Sequence, residues 1–142
     1  MISNFRHVGI VVKDIEKALF FYETILGLKL IKKTDENSGY IDEILQLKDS
    51  KLTTWKFELP DGKIIELLHF KNNSGKINLL KPNNIGITHF ALSIERLDEL
   101  YGRLQENNVE ILSEPKISPD GHAKIMFCRD LETNLIELVE NF

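Results

Sequence analysis

One cysteine, Cys128, stands in the whole chain of 142 residues. An internal disulfide and a thiolate metal cage are both excluded. No apolar run approaches the roughly 20 residues a membrane span requires. The first residues, "MISNFRHVGI", lack the apolar core of a secretory leader. The expectation is a cytoplasmic protein in a reducing compartment, with no membrane partner. Basic runs are missing as well. Lys and Arg total 18 against 22 Asp and Glu, for a net charge of −4. Lys13, Lys29, Lys32, Lys33, Lys48 and Lys51 are scattered among acids. No phosphate footprint for nucleic acid results, although local clusters leave room for an anionic substrate arm. The length fits one domain, or two small similar halves sharing a core.

What the chain does have is a repeat. "NFRHVGIVV" near the start and "GITHFALSI" past the middle are apolar runs of strand character, each with one histidine, His7 and His89. After the first, Asp14 reads as a helix N-cap. Ile15, Ala18, Leu19, Tyr22, Ile25 and Leu26 follow at helical spacing, and Gly27 marks the stop. "LKLIKKT" is a strand. Residues 35–50 are polar and read as an excursion from the sheet. "KLTTWKFEL" and "KIIELLHF" are strands joined at Asp61-Gly62, a hairpin signal.

The second half follows the same order. After the His89 strand, Leu97, Leu100, Tyr101 and Leu104 mark a helix, which Asn107-Asn108 ends. "VEILSEP", "AKIMFCRD" and "NLIELVE" are predicted strands. The halves' tails align, "GKIIELL" with "TNLIELV", which sets Glu66 against Glu137. Duplication explains this economically. Module one spans about 4–70, a connector about 71–84 and module two about 85–141, within one domain of 1–142.

Alternation places His7 with Gly9 and Val11 on one strand face, and His89 with Ala91 and Ser93. The bulky residues Val8, Ile10, Val12 and Phe90, Leu92, Ile94 take the opposite faces. A small-residue face suits the wall of a cavity. Glu66 lies between Ile64 and Leu68 on its face, and Glu137 between Leu135 and Val139. A carboxylate among aliphatic neighbours is costly to bury unless paired with charge or bound to metal. One such histidine or glutamate is ordinarily structural or solvated. Two of each, at matching places, point to a shared metal site. His69 falls on the face opposite Glu66 and reads as structural. His122, in "SPDGHA", reads as a solvated loop residue, with a lid role as the alternative.

At these residues the chain resembles the vicinal oxygen chelate superfamily, the glyoxalase I and methylmalonyl-CoA epimerase group. "HVGIVVKDIEKALFFYETILGLKLI", "PDGKIIELL", "GITHFALSI" and "RDLETNLIELVE" carry the resemblance across nearly the whole chain. It implies an α+β fold of two βαβββ modules forming a cupped mixed sheet, the glyoxalase/bleomycin-resistance/dioxygenase fold. It implies one divalent metal ion (nickel, cobalt, zinc, manganese or iron), with His7, Glu66, His89 and Glu137 as ligands. A His, Glu, His, Glu set resembles that of bacterial glyoxalase I, and several epimerases use a similar one. The sequence departs from the family pattern in two places. The residues around Val12 carry no arginine of the kind that helps such glyoxalases hold glutathione. "LETN" stands where the family usually has an Asp-Gly-type turn.

The implied activity is that of a lactoylglutathione lyase-like isomerase or lyase. It moves a proton next to a carbonyl, through a metal-stabilised enediolate or enolate, on a glutathione or CoA conjugate. Glu66 and Glu137 are the candidate proton carriers. The alternatives are a methylmalonyl-CoA epimerase-like enzyme, an extradiol dioxygenase or antibiotic thiol transferase, and a metal-free drug-binding protein. The last needs no such ligands. A homodimer is the expected assembly, with the paired modules combined within one chain or across the dimer.

Overall fold

The computed structural model describes residues 1–142, which divide into two compact units, Met1–Ile77 and Asn78–Phe142. The first contains β1 (His7–Val11), α1 (Ile15–Leu19), β2 (Lys29–Asp35), α2 (Ser38–Leu45), β3 (Leu52–Glu58) and β4 (Ile64–Phe70). Its sheet runs β1-β4-β3-β2. β1 pairs with β4 in parallel, and the other pairings are antiparallel. A parallel neighbour requires a crossover, which α1 and the strands between supply.

Asp14 caps α1 by accepting a hydrogen bond from the Lys17 amide at 3.2 Å. Beyond Leu19 the helix widens into a π-helical turn, Phe20–Ile25, closed by Leu26 N–H donating to the Phe21 carbonyl. Gly27, at φ 71°, then takes the left-handed conformation that ends the helix. Phe21, Tyr22 and Ile25 are buried with Ile10, Val12, Phe57, Ile65 and Leu67. Tyr22 meets the Phe21 ring edge-on, with centroids 5.1 Å apart.

The segment read as an excursion from the sheet contains the helix α2. Asn37 caps it, accepting from the Tyr40 amide at 3.0 Å. Ile41 anchors it against Leu52 and Phe70, with Leu68 packed alongside. Ile41, Ile44 and Leu45 stand at helical spacing, but only Ile41 is buried. The Asp61-Gly62 hairpin forms as its sequence indicates, with Gly62 at φ 79° and Leu59 N–H donating to the Lys63 carbonyl.

The second unit contains β5 (His89–Ser93), α3 (Leu97–Glu106), β6 (Lys116–Ile117), β7 (Ala123–Arg129) and β8 (Leu135–Asn141). Its sheet runs β5-β8-β7-β6, with β5 parallel to β8. Leu97 and Leu104 from α3 are buried with Met126, Cys128, Ile136 and Leu138. "VEILSEP" is not the expected strand. Ile111 makes an isolated bridge to Cys128, and the strand proper is the two residues after Pro115. Proline has no N–H to contribute to a ladder, so the pairing cannot run through it. Asn108, at φ 54°, ends α3 where the glycine stands in the first unit.

Candidate metal centre

The parallel pairings place the four expected ligands with equal register in the two units. In the first, His7 lies across from Ile64 and Gly9 across from Glu66. In the second, His89 lies across from Leu135 and Ala91 across from Glu137. Histidine and glutamate therefore stand one row apart on the same face of adjacent strands. His7 Nε2 is 3.2 Å from Glu66 Oε2, and His89 Nε2 is 3.5 Å from Glu137 Oε2. The structure thus brings His7 to Glu66 and His89 to Glu137. No group of three or more His, Cys, Asp or Glu side chains placed to hold a metal ion is gathered in the structure.

Small neighbours keep this face open, as alternation indicates. A Cβ on Gly9 would lie 3.2 Å from Leu68 Cδ1 and 4.0 Å from the His7 ring. Ala91 and Ser93 are exposed beside His89. The histidines are about one-third exposed, whereas the glutamate side chains are 11% and 23% exposed. His89 is steadied by Thr88, whose Oγ1 is 3.0 Å from Nδ1, and by the edge-to-face ring of Phe127, 5.2 Å away. With Nδ1 beside Thr88, Nε2 is the ring nitrogen that faces Glu137.

Glu66 is not a lone acid among aliphatic side chains. Lys56, directly across from it on β3, brings Nζ to 3.2 Å from Oε1. Residue-by-residue reading missed this lysine, although the hairpin signals it. Counting outward from the closing Leu59–Lys63 pair reaches Lys56 and Glu66 after three steps. His69 lies across from Thr53, on the face opposite Glu66. His122 is exposed in its turn, where its amide donates to Asp120 Oδ1 at 3.1 Å. Both sit apart from the two pairs in register.

The donors suit a first-row divalent cation. Two ligands bonded to one such ion at about 2.1 Å stand about 3.0–3.4 Å apart, depending on coordination geometry. The His7–Glu66 separation of 3.2 Å falls in that range, and the His89–Glu137 separation of 3.5 Å lies just above it. Imidazole and carboxylate without thiolate fit nickel, cobalt, zinc, manganese or iron, and disfavour soft cations.

Two compact α+β units, each with a four-stranded mixed sheet and a matching His–Glu pair, define a duplicated sheet protein of the vicinal oxygen chelate type. The chain belongs to the glyoxalase/bleomycin resistance protein/dioxygenase superfamily, whose model matches residues 4–138. It is 29% identical over 136 residues to a probable lactoylglutathione lyase of Synechocystis, covering 94% of this chain and 92% of that one. The fold matches a glyoxalase family protein of Bacillus cereus with TM-score 0.90 at 23% identity, over 100% of this chain and 96% of that one. It also matches a fosfomycin resistance protein of Listeria monocytogenes solved with Mn(II) and sulfate. That likeness has TM-score 0.68 at 21% identity and covers 100% and 95% of the two chains. No helix is long and apolar enough to cross a membrane.

Proposed function

We propose that the protein is a metal-dependent isomerase or lyase of the lactoylglutathione lyase type, with His7, Glu66, His89 and Glu137 as the ligands of one divalent cation. The observation that carries this reading is the recurrence of one His–Glu pair, in one register, in both units. An accidental polar pair has no reason to recur at the matching place. The lactoylglutathione lyase name of the Synechocystis relative supports the substrate class. The Mn(II) complex of the Listeria neighbour supports use of a divalent ion.

The ion, when bound, supplies a Lewis acid that polarises a carbonyl and acidifies the adjacent C–H. The chain's own residues do the rest. His7 and His89 present neutral nitrogen donors, fixed by their strands. Thr88 and Phe127 hold the His89 ring in orientation. Two carboxylates balance the charge of a divalent cation, and each is a base that can take a proton from carbon and return it. Glu66 Oε2 and Glu137 Oε2 are the proposed carriers. The open faces beside Gly9 and Ala91 leave room for a small-molecule conjugate.

Elemental analysis of protein purified without added metal, followed by nickel and cobalt titration, tests the centre. One ion per chain, held more weakly in Glu66→Gln and Glu137→Gln variants, is expected. Two ions per chain would separate the pairs into independent sites, and no ion would end the metal reading. Turnover of the methylglyoxal–glutathione hemithioacetal is expected. Solvent deuterium exchange into methylmalonyl-CoA without that turnover would move the protein to the epimerases.

A further inference from the structure

Aligned by register, the two half-sites differ at one neighbour of the acid. The row in the first unit reads Gly9, Glu66, Lys56; in the second it reads Ala91, Glu137, Phe127. Glu66 has both oxygens engaged, Oε1 with Lys56 Nζ and Oε2 with His7 Nε2, each at 3.2 Å. Glu137 has an aromatic ring where Glu66 has an ammonium, and its ion-pair contact is with His89. Lys56 is itself 30% exposed at the side chain, so it reaches the acid from the open side of the sheet.

We propose that Lys56 makes the two carboxylates unequal, so that Glu66 is the single-oxygen, exchangeable donor and Glu137 the anchoring one. The inference rests on the metal reading above and goes beyond it by ranking ligands that the donor set alone leaves equivalent. The reasons are electrostatic. A carboxylate shared with an ammonium has less negative potential to offer a cation, and the ammonium repels a cation brought beside it. With Oε1 held, Glu66 offers Oε2 alone. Lys56 is thus a positioning residue, and Glu66 is the acid freer to leave the cation and carry a proton.

Calorimetric titration of the metal-free full chain with Co²⁺ tests this. Lys56→Met is expected to bind Co²⁺ about tenfold more tightly than the unmodified chain. Lys56→Arg should bind like the unmodified chain. Lys63→Met, which removes a lysine paired only with Asp61, should stay within about twofold. Glu137→Gln should lose about a hundredfold in affinity and Glu66→Gln only about tenfold, a span common for changes around a metal. In a Lys56→Met background the two glutamine variants should lose affinity equally. Thermal unfolding measured alongside reports the fold, and Lys56→Gln serves as a second neutral variant. If Lys56 only neutralises a buried acid, its removal will lower stability and leave Co²⁺ affinity unchanged. That result overturns the proposal, as does Glu66→Gln weakening binding as much as Glu137→Gln. Failure of the unmodified chain to bind Co²⁺ would instead overturn the metal reading itself, and the ranking with it.

Discussion

Gly9 lies directly across from Glu66 in the parallel pairing of β1 and β4, with the His7 ring and Leu68 on either side of the missing side chain. The second unit places Ala91 across from Glu137, so a single methyl is compatible with such a pair. Gly9→Ala is therefore expected to fold normally, because its one tight contact is the movable end of Leu68, the His7 ring lying at 4.0 Å. Gly9→Val carries two further methyls into the space between His7 and Glu66. It should weaken Co²⁺ binding at least about tenfold while leaving most of the secondary structure intact. Calorimetric titration beside far-ultraviolet circular dichroism checks both variants. Unchanged affinity in Gly9→Val would mean that the open face is not where the cation sits.

The β7–β8 connection stores strain at Thr133, a β-branched residue at φ 75°. Asp130 closes the loop around it, accepting from the amides of Glu132 and Asn134 at 2.9 and 2.8 Å and from Asn134 Nδ2 at 2.9 Å. The Thr133 carbonyl in turn accepts from Arg129 at 2.9 Å. Thr133 takes part through its backbone carbonyl, so glycine preserves the bond. Thr133→Gly should stabilise the protein by about 1 kcal/mol, the size of a left-handed penalty less the added unfolded-state entropy. That corresponds to a rise of about 3 °C in Tm. Asp130→Ala should destabilise by about 2–3 kcal/mol, because it orphans several donors in a part-buried loop. Differential scanning calorimetry on the two variants measures both effects.

Much of this architecture was legible in the residues. Alternation in β1 and β5 gave the faces of His7 and His89, and the matching tails gave Glu66 and Glu137. Asp14 and Gly27 marked the ends of the first helix, because capping chemistry is local. The misses share a cause. α2 depends on Ile41 meeting Leu52 and Phe70, which are far along the chain. The end of the "VEILSEP" segment depends on Pro115 denying the ladder a donor, although Val109 is buried as a strand residue would be. Lys56 carries no local signal of its own, and the hairpin register sets it across from Glu66. Local periodicity reports which face a residue takes, and strand pairing decides whom it meets there.

Because α2 buries only Ile41 and leaves Tyr40, Ile44 and Leu45 exposed, its cap carries a large share of its stability. Asn37→Ala removes the 3.0 Å bond from the Tyr40 amide and should cost about 1 kcal/mol, with Asn37→Asp recovering it. Urea unfolding followed by the fluorescence of Trp55, the chain's only tryptophan, measures the difference. No change in the midpoint for Asn37→Ala would show that Ile41 alone holds the helix.

Cys128 supplies a pH dependence of known sign. Its side chain is fully buried on β7. Burial, with a smaller contribution from Asp130, pushes the thiol from its ordinary 9.0 up to about 12. Between those values the unfolded chain has released the proton and the folded chain still holds it. Fewer protons bound in the unfolded state means that folding stability falls as pH rises. The contribution is fully present below about pH 9. It declines by about 1.4 kcal/mol per pH unit above that, until the folded thiol ionises. Urea unfolding at pH 8.5, 9.5 and 10.5, followed by circular dichroism, should show the unmodified chain losing stability more steeply than Cys128→Ala. Lysine and tyrosine titrations are common to both proteins, so the difference between the slopes isolates the thiol. The same burial predicts that a thiol-alkylating reagent at pH 8 modifies the protein only after denaturation. Rapid labelling of the folded chain, or parallel slopes in the two proteins, would show that β7 opens readily enough to expose this side chain.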